Sequence, residues 1–145
     1  MAIVTAIVTG TVTPDGHRVC RLRVDLIFNT EDPYAVQLIA YTGAEKTVEW
    51  VFSGELLSEA LRHPGQLVGY CDVHVAVKVG FAARQPRKIV VTLTSPEGEA
   101  HLTLPAPEVH DFVRRMQAAS TSLVMDAVAE TLAGEAEQFL IDRLT

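Results

Sequence analysis

The sequence predicts an α+β domain in which antiparallel β-sheets pack against helices, with a long helix at the C-terminal end. Three observations carry that prediction. Alternating apolar and polar runs separated by turn residues follow one another as far as Leu104. From Pro105 the apolar spacing changes to a helical period. The length of 145 residues suits one domain spanning 1–145, since domains typically run about 100–150 residues and bury a core without disulfides or metal.

Ile3 to Thr13 alternates Thr with aliphatic residues and ends at Pro14-Asp15-Gly16, a turn signal, after which His17 to Phe28 alternates again. These runs predict an opening antiparallel hairpin. Asp32-Pro33 is read as the next turn, its carboxylate bonding nearby backbone N–H groups while the ring fixes φ. Tyr34 to Tyr41 is rich in β-favouring residues, residues 42–46 turn the chain, and Thr47 to Phe52 sets Val48, Trp50 and Phe52 against Thr47, Glu49 and Val51. Ser53 is placed to cap a short helix, Glu55 suits the positive end of its dipole, and His63-Pro64-Gly65 ends it. Beyond it, Gln66 to Val79, Arg87 to Thr94 and Glu99 to Leu104 read as three strands of a meander, with Gly80 to Pro86 as a connecting loop. Val109, Phe112, Val113 and Met116 then form a helical stripe that should pack on the sheet. Ala118 to Ser122 reads as a break between two helices. A second helix from Leu123 to Leu144 carries Val124, Val128, Leu132, Ala136, Phe139 and Leu140 at helical spacing, weakened by Gly134, so packing should stabilise it.

A net charge of −6 argues against a surface that grips phosphate throughout, while leaving room for one basic patch. The apolar content of 48% and mean hydropathy of +0.21 are high, yet no run approaches the roughly 18 apolar residues of a membrane span. That surplus, with the C-terminal stripe, points to self-association into a homo-oligomer. The first residues lack the positive charge that precedes the apolar stretch of a secretory signal, so a cytoplasmic protein is expected. Cys20 and Cys71 lie in strand-like runs and read as buried structural thiols.

No chemistry of catalysis stands out. His17, His63, His74, His101 and His110 are scattered; Asp72 and His74 share a strand face without a third metal ligand. The serines lack a nucleophile-elbow setting, and no phosphate-cradling glycine motif occurs, so neither enzyme nor cofactor is expected. Glu31, Asp32, Glu45 and Glu49 are read as solvated turn and strand carboxylates. Trp50, the single tryptophan, reads first as a core anchor and second as an interface residue, with Tyr34 and Phe52 nearby. Lys78, Arg84, Arg87 and Lys88, with Phe81 among them, form the one feature suited to single-stranded nucleic acid.

Two collinear stretches carry a further signal. Phe28-Asn29-Thr30-Glu31-Asp32-Pro33-Tyr34-Ala35-Val36, Thr42-Gly43-Ala44-Glu45 and Thr47-Val48-Glu49-Trp50-Val51-Phe52 make up the first. Ser95-Pro96-Glu97-Gly98-Glu99-Ala100 followed by Pro105-Ala106 make up the second. Together they resemble the SsgA-like family of actinobacterial cell-division proteins. The resemblance implies a non-enzymatic, cytoplasmic regulator of sporulation-specific septation that recruits or positions the tubulin-like FtsZ at septum sites. It also implies a fold similar to the Whirly and mitochondrial guide-RNA-binding proteins, assembled as a trimer. On that resemblance Asp32, Tyr34, Glu45, Glu49 and Trp50 are a candidate partner surface or fold determinants. The alternative class is a single-stranded nucleic-acid-binding module using Lys78, Arg84, Arg87 and Lys88. The chain departs from the family in lacking a Trp-Pro pair near Val75-Ala76, and in carrying a helical segment where many members have a Pro-Pro-Gly tail.

Overall fold

The computed structural model describes residues 2–14, 19–43, 45–70, 72–78 and 87–144, with backbone alone for residues 14, 70 and 134–144. Eight strands form one antiparallel sheet in the order β4-β3-β2-β1-β8-β7-β6-β5. The strands are β1 (Ile3–Pro14), β2 (Cys20–Asn29), β3 (Asp32–Tyr41), β4 (Thr47–Ser53), β5 (Leu67–Tyr70), β6 (Val73–Lys78), β7 (Lys88–Ser95) and β8 (Gly98–Pro105). Helix α1 (Gly54–Arg62) separates two four-stranded meanders, and α2 (Ala106–Leu144) follows them. Among the described residues, the strands of the two meanders pair only where Thr11 to Pro14 of β1 meets Ala100 to Thr103 of β8, whereas β1 pairs with β2 from Ile3 to Val12. At this junction a Cβ on Gly10 would lie 3.0 Å from Leu104 and 3.2 Å from the Thr103 carbonyl, so the backbone approach favours glycine. Before that point β1 and β8 separate, and the sheet curls around the helices.

The core follows from strand alternation. Val24, Leu26 and Phe28, Val36 and Leu38, Val75 and Val77, Val91, Leu102 and Leu104 face inward and are buried. Leu57 and Ala60 of α1 and Val109, Phe112, Val113 and Met116 of α2 complete it. The Ser53 hydroxyl accepts from the Glu55 N–H at 3.3 Å, and the helix closes at His63. Both the cap and the α2 stripe agree with the periodicity.

Four expectations need correction. The turn before β3 is at Thr30-Glu31, where the Asn29 side chain accepts from the Glu31 N–H at 3.0 Å; Asp32 and Pro33 already belong to the strand. A register shift between Phe28 and Asn29 makes room for proline at the strand start, where a missing N–H breaks no interior ladder bond. The stretch expected as one strand from Gln66 to Val79 instead holds two paired strands, Leu67–Tyr70 and Val73–Lys78, with Tyr70 opposite Val73. Gly69 permits it: φ is +113°, and a Cβ there would sit 2.4 Å from the Val73 carbonyl. The expected helix break at Ala118 to Ser122 does not exist, because α2 continues through it for 39 residues. Alanine is the strongest helix former, and Ser and Thr cost only a few tenths of a kcal/mol each, about 0.5. Finally, Cys20 is exposed: it lies at the outer end of β2, opposite Val12, where the inward face has no cover. Cys71, the Asp15-Gly16 turn and the Gly80–Pro86 loop lie outside the described residues.

Candidate functional site

Three of the four strands of the first meander lose their cover toward the same end of the curled sheet. Along β4 burial falls from Phe52 to half-buried Trp50 to exposed Val48; along β2 it falls from Val24 through Leu22 to Cys20; along β1 it falls from Val8 to Val12. The inward alternation continues there, but α1 and α2 pack farther along the sheet. The result is an open apolar groove of about 360 Å³. Val12, Leu22, Ala40, Val48 and Trp50 line one side, and Leu93, Ala100 and Leu102 the other, with Glu97 and Glu99 from the β7–β8 turn. Ser95 shapes that turn: its hydroxyl accepts from the Glu97 N–H at 3.3 Å and reaches the Gly98 carbonyl at 3.4 Å. Glu99 also lies 3.5 Å from His101, which meets Thr92 at 3.1 Å. Both stretches quoted for the family resemblance therefore contribute walls to one groove.

The residues singled out from the sequence are not gathered at one place. Trp50, expected first as a core anchor, is half-buried and serves as both the core's edge and the groove wall. Glu45 is exposed in the β3–β4 turn, whose first residue, Thr42, lines the groove. Glu49 points to the opposite face of β4, where its carboxylate accepts from the Gln37 amide. Asp32 and Tyr34 lie at the far end of β3. Tyr34 is 82% exposed and borders a separate depression of about 650 Å³ between the α1 N-terminus and α2, near Ser58, Gln117 and Val124. Of the basic set, Lys78 and Lys88 are cross-strand partners, and Arg87 adjoins them; all three are exposed. Arg84 and Phe81 lie outside the described residues.

One polar cluster escaped the sequence reading. On the outer face of β2 and β3, Arg23 holds Asp25 through two bonds of 2.9 and 3.1 Å, and the Tyr41 hydroxyl donates to Asp25 at 2.8 Å. The Arg23 guanidinium also lies 4.7 Å over the Tyr41 ring. The Arg23 bonds, then the Tyr41 hydroxyl, hold the Asp25 carboxyl below its ordinary value, and the same carboxylate raises the Tyr41 phenol. The only signal in the sequence was Arg23-x-Asp25 on one strand face, too common to single out. Among the described residues no three His, Cys, Asp or Glu side chains converge on a metal position, and no helix is long and apolar enough to cross a membrane.

Comparison with known proteins gives a consistent result. Residues 22–122 match the family model described as Streptomyces sporulation and cell division protein, SsgA. The chain is 43% identical over 96 residues to the sporulation-specific cell division protein SsgB of Streptomyces coelicolor, covering 65% of this chain and 64% of that protein. It is 39% identical over 93 residues to the SsgB of Frankia casuarinae, covering 63% and 60%. The match thus spans less than two thirds of the length of these curated relatives. A solved structure from work relating SsgB mutations to longitudinal cell division during sporulation of S. coelicolor superposes with a TM-score of 0.71 at 35% identity, over 81% of this chain and 88% of that one. The SsgA-like sporulation-specific cell division protein of Thermobifida fusca shares the fold, with a TM-score of 0.71 at 24% identity over 91% and 95%.

Proposed function

The chain belongs to the SsgA family of sporulation and cell-division proteins, and from that membership we propose that it acts in sporulation-specific septation by binding FtsZ and positioning the division machinery at septum sites. The family is a cell-division family rather than an enzyme family. The observation that carries a binding role is the groove: it offers an apolar floor and two carboxylates, a composition suited to recognising another protein. In this reading Trp50 and Glu45 belong to the partner surface, whereas Asp32, Tyr34 and Glu49, away from the groove, act as fold determinants. The protein works as one domain in the cytoplasm at the division septum, without a cofactor, and assembles as a homotrimer of Whirly-like subunits. The exposed outer face of the first meander, where Ile3, Ile7 and Val51 are each more than half exposed, is a suitable surface for that assembly.

Co-sedimentation with GTP-assembled FtsZ from the same organism tests the reading. Co-pelleting that Trp50→Ala abolishes is the expected result; a protein that stays in the supernatant at micromolar concentration contradicts it. Size-exclusion chromatography with light scattering reports the trimer, and a monomer at the same concentration removes that part. A second reading, a single-stranded nucleic-acid-binding module, draws on the exposed Lys78, Arg87 and Lys88 brought together where β6 ends and β7 begins. It requires anisotropy of a labelled oligonucleotide to rise with protein and fall with salt, and Arg87→Ala and Lys88→Ala to weaken binding across sequences.

A further inference from the structure

We infer that the groove between β4 and the β7–β8 turn receives a long cationic side chain, Arg or Lys, flanked by an apolar residue, from a segment of a partner protein. The inference rests on the reading that this chain works by binding another protein, and it specifies the chemistry of the segment bound.

Three features of the groove converge on that occupant. Its walls are apolar along their length, so an alkyl stem and a neighbouring aliphatic or aromatic side chain find hydrophobic cover there. Its charged lining among the described residues is of one sign: Glu97 and Glu99 stand in it, and no described Lys or Arg lines it. A guanidinium or ammonium placed there forms charge-assisted hydrogen bonds, whereas phosphate groups of nucleic acid or anionic lipid meet like charge. Trp50, on the facing wall, presents the aromatic surface that attracts a cation most strongly. The groove's volume of about 360 Å³ falls in the ligand-site range of about 300–1,000 Å³, enough for a few side chains but not for a folded element. A short extended segment is therefore the occupant, with its cation at Glu97 and Glu99 and its apolar neighbour against Val48 and Leu102.

Because Trp50 is the only tryptophan, its emission reports the groove directly. The full chain is titrated with labelled acetyl-Leu-Arg-Phe-Arg-Leu-amide and with the same peptide carrying Gln or Glu in place of Arg. Anisotropy gives affinity, and Trp50 emission gives location. The Arg peptide should bind about tenfold tighter than the Gln peptide, the weight of one charge-assisted hydrogen bond, and shift Trp50 emission saturably. The Glu peptide should bind more weakly than either. Glu97→Gln with Glu99→Gln, both at exposed positions, should bring the Arg peptide to the level of the Gln peptide and flatten its salt dependence. Equal binding of the three peptides, or no binding, overturns the inference. So does Arg-peptide binding that leaves Trp50 emission unchanged and survives the double substitution, since the peptide then sits elsewhere on an anionic chain. FtsZ co-sedimentation of the double variant separates the two claims. Retained co-pelleting with a failed peptide titration removes the groove chemistry alone; a successful titration with no FtsZ binding by the native chain removes the partner.

Discussion

The two halves of α2 have the same secondary structure and similar apolar spacing, yet opposite surroundings. From Ala106 to Met116 the stripe Val109, Phe112, Val113 and Met116 is buried against the curled sheet. From Thr121 to Ala133 every residue is exposed, although Val124, Val128 and Leu132 recur at the same helical spacing, and Leu132 is 59% exposed. Apolar periodicity specifies a helix with an apolar face in both; only the presence of a sheet beneath the first half turns that face into core. The family-model match ends at residue 122, so it takes in the covered half and stops as the exposed half begins. Charge follows the same division. Asp111 binds Arg114 and Arg115 at 2.6 and 3.0 Å in the covered half, whereas residues 116–142 carry five carboxylates and no Lys or Arg.

The comparison breaks most visibly if Phe112→Ala proves mild. Phe112 is fully buried, so its truncation should cost about 3–5 kcal/mol in urea denaturation followed by circular dichroism. Next in size is a polar contrast. Asp25 is buried and bonded, so Asp25→Asn should cost about 1–2 kcal/mol at pH 7, while Asp126→Asn in the exposed half should stay within about 0.5 kcal/mol. The sign with pH follows from the lowered Asp25 carboxyl: its contribution is complete above the ordinary value of 3.8 and is lost as pH falls through the depressed one. Urea midpoints should therefore separate native chain from variant at pH 7, and the gap should narrow progressively as pH falls below 3.8. Where the halves meet, the Gln117 amide donates to Ser58 of α1 at 3.3 Å, so Gln117→Ala should cost about 0.5–1.5 kcal/mol by the same assay. The smallest change in midpoint is expected from Ala127→Pro. It should remove helical ellipticity from the uncovered half, because proline costs about 3 kcal/mol inside a helix, yet leave the sheet's unfolding midpoint in place.

These contrasts also show what was legible before the fold. Positions set by local chemistry read correctly: the Ser53 cap, the strand alternation and the stripe from Val109 to Met116. Errors arose where local signals were weak or ambiguous. Ala118 to Ser122 has small residues and cap-competent side chains, but nothing that forbids a helix, and the chain simply continues. The hairpin within residues 66–79 lacked a Pro or an Asn-Gly pair, and the valines of β6 masked the turn before it. The groove was illegible for a different reason. Trp50 and Glu97 are far apart in sequence, and only the β1–β8 junction, which brings the two meanders together, places them on facing walls. Their presence in the two stretches of family resemblance was visible; that those stretches enclose one space was not.

The central claim, that the groove rather than the exposed half of α2 meets the division machinery, is tested most directly by hydrogen–deuterium exchange of the full chain with and without GTP-assembled FtsZ. Protection confined to peptides spanning Thr47 to Phe52 and Ser95 to Ala100 is the predicted result. Protection confined to residues 121–133, or unchanged exchange throughout despite co-pelleting, would contradict the account.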